Sequence, residues 1–198
     1  MLKIGLTGSI GSGKTAILNL LQEKGFFTIN LDEEAKKLLN KNTPEHEKVI
    51  AFFGKNILNK EEDIDKKLLA DEIFSDYNKK KALEGIIYPA LKESVLRILK
   101  VNKKSTAIIE GAVIIESGFY SELDKIVLVT CDFAKRLERS CGRFSSDDFT
   151  KRDQSQLSQA EKLKKSHFII NNNYGFKFLI SQVDLLSNYI NNINTDPS

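Results

Sequence analysis

Leu2-Lys3-Ile4-Gly5-Leu6-Thr7-Gly8-Ser9-Ile10-Gly11-Ser12-Gly13-Lys14-Thr15 stands at the start of the chain, and its reading decides the fold. Leu2 to Thr7 is a short apolar run of strand character. The eight residues after it match G-x-x-x-x-G-K-[ST]. Glycines let the backbone curl so that successive N–H groups face phosphate oxygens, and a helix that follows adds its positive N-terminal end. In such a loop the lysine reaches the β- and γ-phosphates and the Ser/Thr hydroxyl holds Mg²⁺. Ile17, Leu20 and Leu21 give the apolar stripe of that helix, and Gly25 stands just past its end as a stop signal. By average residue usage a chance match is roughly one in a hundred. The competing reading is a flexible glycine turn with a surface lysine. The loop predicts nucleotide binding but does not choose a reaction.

Working outward, Phe26 to Leu31 is a second β-rich run, and Asp32 sits where a helix would begin, a good N-cap. Residues 40–100 are mostly helical in pattern and highly charged, punctuated by Phe52-Phe53-Gly54 and Pro89. Strands return at Thr106 to Ile109 and Lys125 to Thr130, short apolar runs of the kind that buried parallel strands show. Asp132 can cap a helix carrying Ala134 and Leu137. Residues 139–165 are very polar, which predicts a mobile cover that buries little. His167 to Ile170 reads as the last strand. Leu179, Val183, Leu186, Ile190 and Ile193 then mark an amphipathic helix, with a frayed tail through Pro197.

Strand alternating with helix predicts an α/β fold: a five-stranded parallel sheet flanked by helices. The expected organisation is one domain over 1–198. Its core would be about 1–39, 101–138 and 166–195, with a helical substrate-side insertion at about 40–100 and a lid at about 139–165.

Thirty basic and 27 acidic side chains leave a net charge of +3, so nothing points to a nucleic-acid or membrane partner. No apolar run approaches the ~18 residues of a membrane helix. Cys131 and Cys141 have no metal-ligand spacing, which suits a reducing compartment. With no signal-peptide pattern, the expected location is the cytoplasm.

Three outcomes are compatible with the loop: a small-molecule kinase, a GTP-driven switch, and a nucleotide-dependent assembly factor; outside enzymes the alternative is a non-catalytic nucleotide-gated binding module. A switch reads guanine with Asn-Lys-x-Asp and senses the γ-phosphate with Asp-x-x-Gly, and neither string occurs. A helical insertion and an arginine-bearing cover suit a kinase, whose chemistry needs an in-line acceptor and a water-excluded site.

Nearly end to end, the chain resembles the bacterial dephospho-coenzyme A kinase family, a group of P-loop kinases. Ile4 to Thr15 is similar to that family's I-G-L-T-G-G-I-G-S-G-K-S/T, and Asn30 to Ala35 to its D-A-D-x-x-A. Phe53-Gly54, Asp65 to Leu69 and Ile73-Phe74 follow its central pattern. Glu110 to Gly118 resembles its D-x-P-L-L-f-E-x-g, and Arg139, Arg143 and Arg152 to Gln156 its late arginine series. Asn171-Asn172 resembles the end of its V-I-D-N. Asn30, Tyr88, Ala112, Lys66 and His167 depart from the family's Asp, His, Pro, Arg and Asp at those places.

The resemblance implies transfer of the ATP γ-phosphoryl group to the ribose 3′-hydroxyl of dephospho-CoA, by a monomer or small homo-oligomer; another small-molecule or nucleoside monophosphate kinase is the alternative. It implies that Gly8, Ile10, Gly11, Ser12, Gly13, Lys14, Thr15, Ala16 and Asn172 hold ATP. Lys14, Asp32, Arg139 and Arg143 would be catalytic, and Thr7, Asp32, Glu110 and Glu116 would face the acceptor. Thr15 would bind Mg²⁺ directly and Glu110 through water. Each assignment has a structural rival: an N-cap at Asp32, a strand-end acid at Glu110, a local hydrogen bond at Glu116, surface ion pairs at the arginines, and a strand cap at Asn172.

Overall fold

The computed structural model describes residues 1–195, so the tail through Pro197 lies outside the described residues. The chain divides into two compact units, Met1–Asn30 with the chain from Lys103 onward, and Leu31–Asn102.

The first unit holds β1 (Leu2–Thr7), β2 (Phe27–Asn30), β3 (Thr106–Glu110), β4 (Lys125–Thr130) and β5 (Phe168–Asn171). They form one parallel sheet in the order β2-β3-β1-β4-β5. Strand alternation sends Ile4 and Leu6 to one face, where they meet Ile17, Leu18 and Leu21 of α1 (Lys14–Glu23). Leu179, Val183, Leu186 and Ile190 of α9 (Phe176–Thr195) complete that core. Gly5 faces the other way, where an added Cβ would lie 2.6 Å from Leu123 Cδ1. β1 therefore has one face packed on helices and the other covered closely by the chain after β3.

His167, at an expected aspartate position, has a physical role here. Its Nδ1 accepts the Ile126 N–H at 3.1 Å while its own N–H donates to Ile126 O at 2.8 Å, and this starts β5 on β4.

Three short α-helices, α6 (Phe133–Arg139), α7 (Ser146–Gln154) and α8 (Gln159–Leu163), and a 3₁₀ turn at Phe119–Glu122 complete the described part of the unit. Most of residues 139–165 are exposed or half-buried, and three of them, Ser140, Phe149 and Lys162, are buried. Phe149 and Lys162 are both 0% exposed, and α7 and α8 start on capping Ser145 and Ser158 hydroxyls. Lys162 can be buried there because its charge has partners, Glu116 and the Ala112 carbonyl.

The second unit is helical: α2 (Leu31–Leu38), α3 (Pro44–Phe53), α4 (Lys66–Ser75) and α5 (Tyr77–Val101). It begins at Leu31, before the boundary expected near residue 40. Asp65, in the family-like central segment, caps α4 by accepting the Lys67 and Leu68 N–H groups. α5 is the spine against which α2, α3 and α4 pack, and its buried residues are Ile87, Leu91, Val95 and Leu99. Pro89 was expected to punctuate this region, but α5 runs straight through it. An interior proline forfeits a backbone bond, and buried residues of α5 stand on both sides of it, Ile87 before and Leu91 after.

Candidate active site

Parallel strands bring their carboxyl ends to one edge, where ligands bind in open α/β sheets. Thr7, Asn30, Glu110 and Asn171 end their strands there. The loop from Gly8 turns from β1 into α1, whose cap Gly13 adopts φ 94 and carries no side-chain cap. The first N–H groups of α1 thus lack an intrahelical partner, and no acidic residue occupies its first turn.

Close packing fixes the loop. An added Cβ on Gly8 would collide with Val129 O, one on Gly11 would sit 2.6 Å from Arg136 O, and one on Gly13 would strike Asn172 Nδ2. Lys14, nearly buried, donates Nζ to Gly8 O at 2.9 Å and Ser9 O at 3.2 Å. Ser12 Oγ is buried and has no hydrogen-bond partner among the described residues.

Beside the loop is a cavity of about 220 Å³, lined by Ile10, Gly11, Gly13, Lys14, Thr15, Arg139, Ser140, Arg143 and Phe144. Lys14, Arg139 and Arg143 place positive charge on its wall. Helix α6 stops at Arg139, so the two arginines do not share a helix face; a turn through Gly142, φ 84, carries Arg143 back to the cavity. Arg139 is held by Asn172 O at 3.0 Å and Cys131 Sγ at 3.3 Å. Guanidinium groups so placed match phosphate oxygens in geometry and charge.

Other expected residues have definite positions. Asn172 donates Nδ2 to Ser12 O at 2.8 Å, which ties the end of β5 to the phosphate loop. Ile10 lines the cavity, yet its N–H donates to Gln156 Oε1. Thr15 and Ala16 are exposed at the start of α1. Thr7 is buried and donates Oγ1 to Ala112 O at 3.4 Å. Glu110 is 2% exposed and accepts from Asn30 Nδ2 at 2.6 Å. An aspartate at position 30 would set two carboxylates against each other; the Asn30 amide supplies a donor instead.

Glu116 takes up two donors, accepting from Leu157 N–H at 2.9 Å and pairing with Lys162 Nζ at 2.9 Å. Lys162 also donates to Ala112 O at 2.6 Å. Asp32 lies in the second unit, exposed in the first turn of α2 rather than at its cap. Asp132 does occupy the cap position of α6, but its carboxylate accepts from Asn173 Nδ2.

Sequence reasoning missed Arg136 and Lys162. Both are buried cations, and nothing in local pattern separates them from surface residues, because their partners are remote in sequence. Among the described residues there is no group of three or more His, Cys, Asp or Glu able to hold a metal. A nucleotide-borne Mg²⁺ needs only one or two protein ligands beside phosphates and waters, so the Thr15 hydroxyl next to the cavity fits that demand.

Comparison with known proteins agrees with this geometry. The family model described as Dephospho-CoA kinase matches residues 2–177. The Aquifex aeolicus dephospho-CoA kinase is 34% identical over 185 residues, covering 92% of this chain and 94% of that one. The solved dephospho-CoA kinase from Campylobacter jejuni superposes with a TM-score of 0.71 at 29% identity, covering 98% of each chain. A Thermus thermophilus crystal structure, at 24% identity and 97% coverage of each chain, shares the fold with a TM-score of 0.83. On these matches the chain belongs to the dephospho-CoA kinase family.

Proposed function

We propose that this chain transfers the γ-phosphoryl group of ATP to the ribose 3′-hydroxyl of dephospho-CoA, yielding coenzyme A and ADP. The observation that carries the reading is the cationic cavity against the phosphate loop, in a chain that belongs to this family over residues 2–177. The orphaned Ser12 hydroxyl, the glycine cradle and the N-terminal end of α1 fit the phosphates of a nucleotide.

Phosphoryl transfer is catalysed mostly by positioning and charge stabilisation. Lys14 turns from the loop carbonyls to the β- and γ-phosphates, while Arg139 and Arg143 stabilise charge on the transferred group. The ribose oxygen forms a bond to the γ-phosphorus as the bond to the β–γ bridging oxygen breaks, and Asp32 orients the hydroxyl and takes its proton. Mg²⁺, when bound, neutralises phosphate charge. Thr15 would be its direct protein ligand and Glu110 a ligand through water, with the Asn30 amide holding that carboxylate in place. Residues 139–165 act as the lid and 40–100 serve acceptor recognition. Cys131 and Cys141 are both free thiols, in keeping with a cytoplasmic setting.

The test incubates the protein with Mg-ATP and, separately, dephospho-CoA, nucleoside monophosphates and shikimate, with mass detection of the phosphorylated acceptor. The reading requires phosphate on dephospho-CoA, and Asp32→Asn should lower that turnover about 10²-fold or more with the fold intact. Transfer to another acceptor, or ATP binding without transfer, would overturn it.

A further inference from the structure

Arg136 lies outside the cavity wall, yet all three of its guanidinium nitrogens donate hydrogen bonds. It is 4% exposed. Nε donates to Cys131 O at 3.1 Å, Nη1 to Ile10 O at 3.2 Å, and Nη1 and Nη2 grip Asp153 at 2.5 and 3.2 Å. Phe133 and the fully buried Phe149 lie against it, with ring centroids 5.5 and 5.9 Å from its central carbon. From the other side Gln156 accepts the Ile10 N–H at 3.2 Å. The N–H and the C=O of one phosphate-loop residue are thus both held by side chains from the segment around α6 and α7. Gly11 packs so closely on Arg136 O that only a residue without a side chain fits.

We infer that Arg136 and Gln156 are positioning residues of the donor site, and that Asp153 orients Arg136. By fixing Ile10 they fix where the N–H groups from Gly11 to Lys14 point. A fork of fixed planar geometry is needed, because one guanidinium must satisfy two carbonyls and a carboxylate at once. Neither side chain need touch the nucleotide. Since the loop and the α6–α7 segment share these bonds, nucleotide binding and order in α7 are linked, and the linkage is reciprocal. This inference rests on the proposed donor site but not on the identity of the acceptor.

The test measures affinity for a fluorescent ATP analogue in wild type, Arg136→Lys, Arg136→Met and Gln156→Met, well below each protein's Tm. Wild-type binding checks the donor site itself, and its absence would overturn the inference together with that reading. Loss of one bond to Ile10 should weaken analogue binding roughly 3–10-fold. Arg136→Met should exceed Arg136→Lys, which keeps the charge but loses the fork. KM for ATP should follow the same order while KM for the acceptor stays within about twofold. Should Arg136→Met fail to fold, Gln156→Met removes a single acceptor and still decides. Variants that lower Tm yet bind the analogue as wild type does would reduce Arg136 and Gln156 to structural parts and refute the positioning role. In hydrogen exchange on wild type, the analogue should protect amides of α7; unchanged exchange there would refute the linkage.

Discussion

Replacing Lys162 by methionine keeps most of the side chain's length and apolar volume and removes its charge and donors. In the native protein Nζ is 2.9 Å from Glu116 Oε1 and 2.6 Å from Ala112 O, and the side chain is 0% exposed. Removing one partner of a buried pair leaves the other charge uncompensated, at a cost of about 3–5 kcal/mol. Glu116 is 16% exposed and keeps the Leu157 N–H, so the low end applies, about 3 kcal/mol. Against a total of roughly 5–15 kcal/mol this is a large loss. Urea unfolding of wild type, Lys162→Met, Glu116→Gln and the double variant measures it. Glu116→Gln relieves the stranded charge, so the double variant should be less destabilised than the sum of the singles, by about 1–3 kcal/mol. A Lys162→Met protein within about 0.5 kcal/mol of wild type, or single effects that simply add, would refute the reasoning.

Three other outcomes follow from the same geometry. Gly13→Ala places a Cβ against Asn172 Nδ2 at φ +94; with about 1–2 kcal/mol of left-handed strain, ATP affinity should fall about tenfold or more. Adding Asn172→Ala should restore part of that loss, and no restoration would mean that the collision is not the cause. Glu161, whose carboxyl the Ser158 hydroxyl and N–H hold below its ordinary value, has its pKa depressed on folding. Its stabilising contribution is present above the unfolded value near 4.5 and is lost as pH falls through the lower folded value. A carboxyl titration by NMR should put its midpoint below 4.5 and return it upward in Ser158→Ala; a wild-type midpoint at or above 4.5 would contradict the cap. Gly85 is exposed inside α5 with open space where a Cβ would go. Gly85→Ala should therefore raise stability in urea by about 0.5–1 kcal/mol, and a decrease would refute it.

What the sequence disclosed was local. The phosphate loop, β4 and the stripe of α9 are each written in a contiguous pattern, and the structure has them where those patterns lie. What it withheld depends on partners far along the chain. The burial of Lys162 is decided by Glu116 and Ala112, some 46 and 50 residues away. The latch on Ile10 is made by residues 126 and 146 positions later. Counting polar residues between 139 and 165 therefore gives a mostly exposed cover, but not the fully buried Phe149 and Lys162 within it. Helix ends were equally hard to read: Pro89, expected as punctuation, lies inside α5.

The order β2-β3-β1-β4-β5 also governs what happens on the ribosome. β1 and β2 are synthesised first but are not neighbours; both need β3, which begins at Thr106. At roughly 5–20 residues per second, the first strand waits about 5–20 s for a partner. Leu31–Asn102, contiguous and rich in local helical contacts, can fold as it emerges, while the apolar Leu2–Thr7 stays unpaired. The strand that leads into the phosphate loop is therefore the one most exposed to aggregation and chaperone capture during synthesis, and slower translation through the helical unit prolongs that exposure.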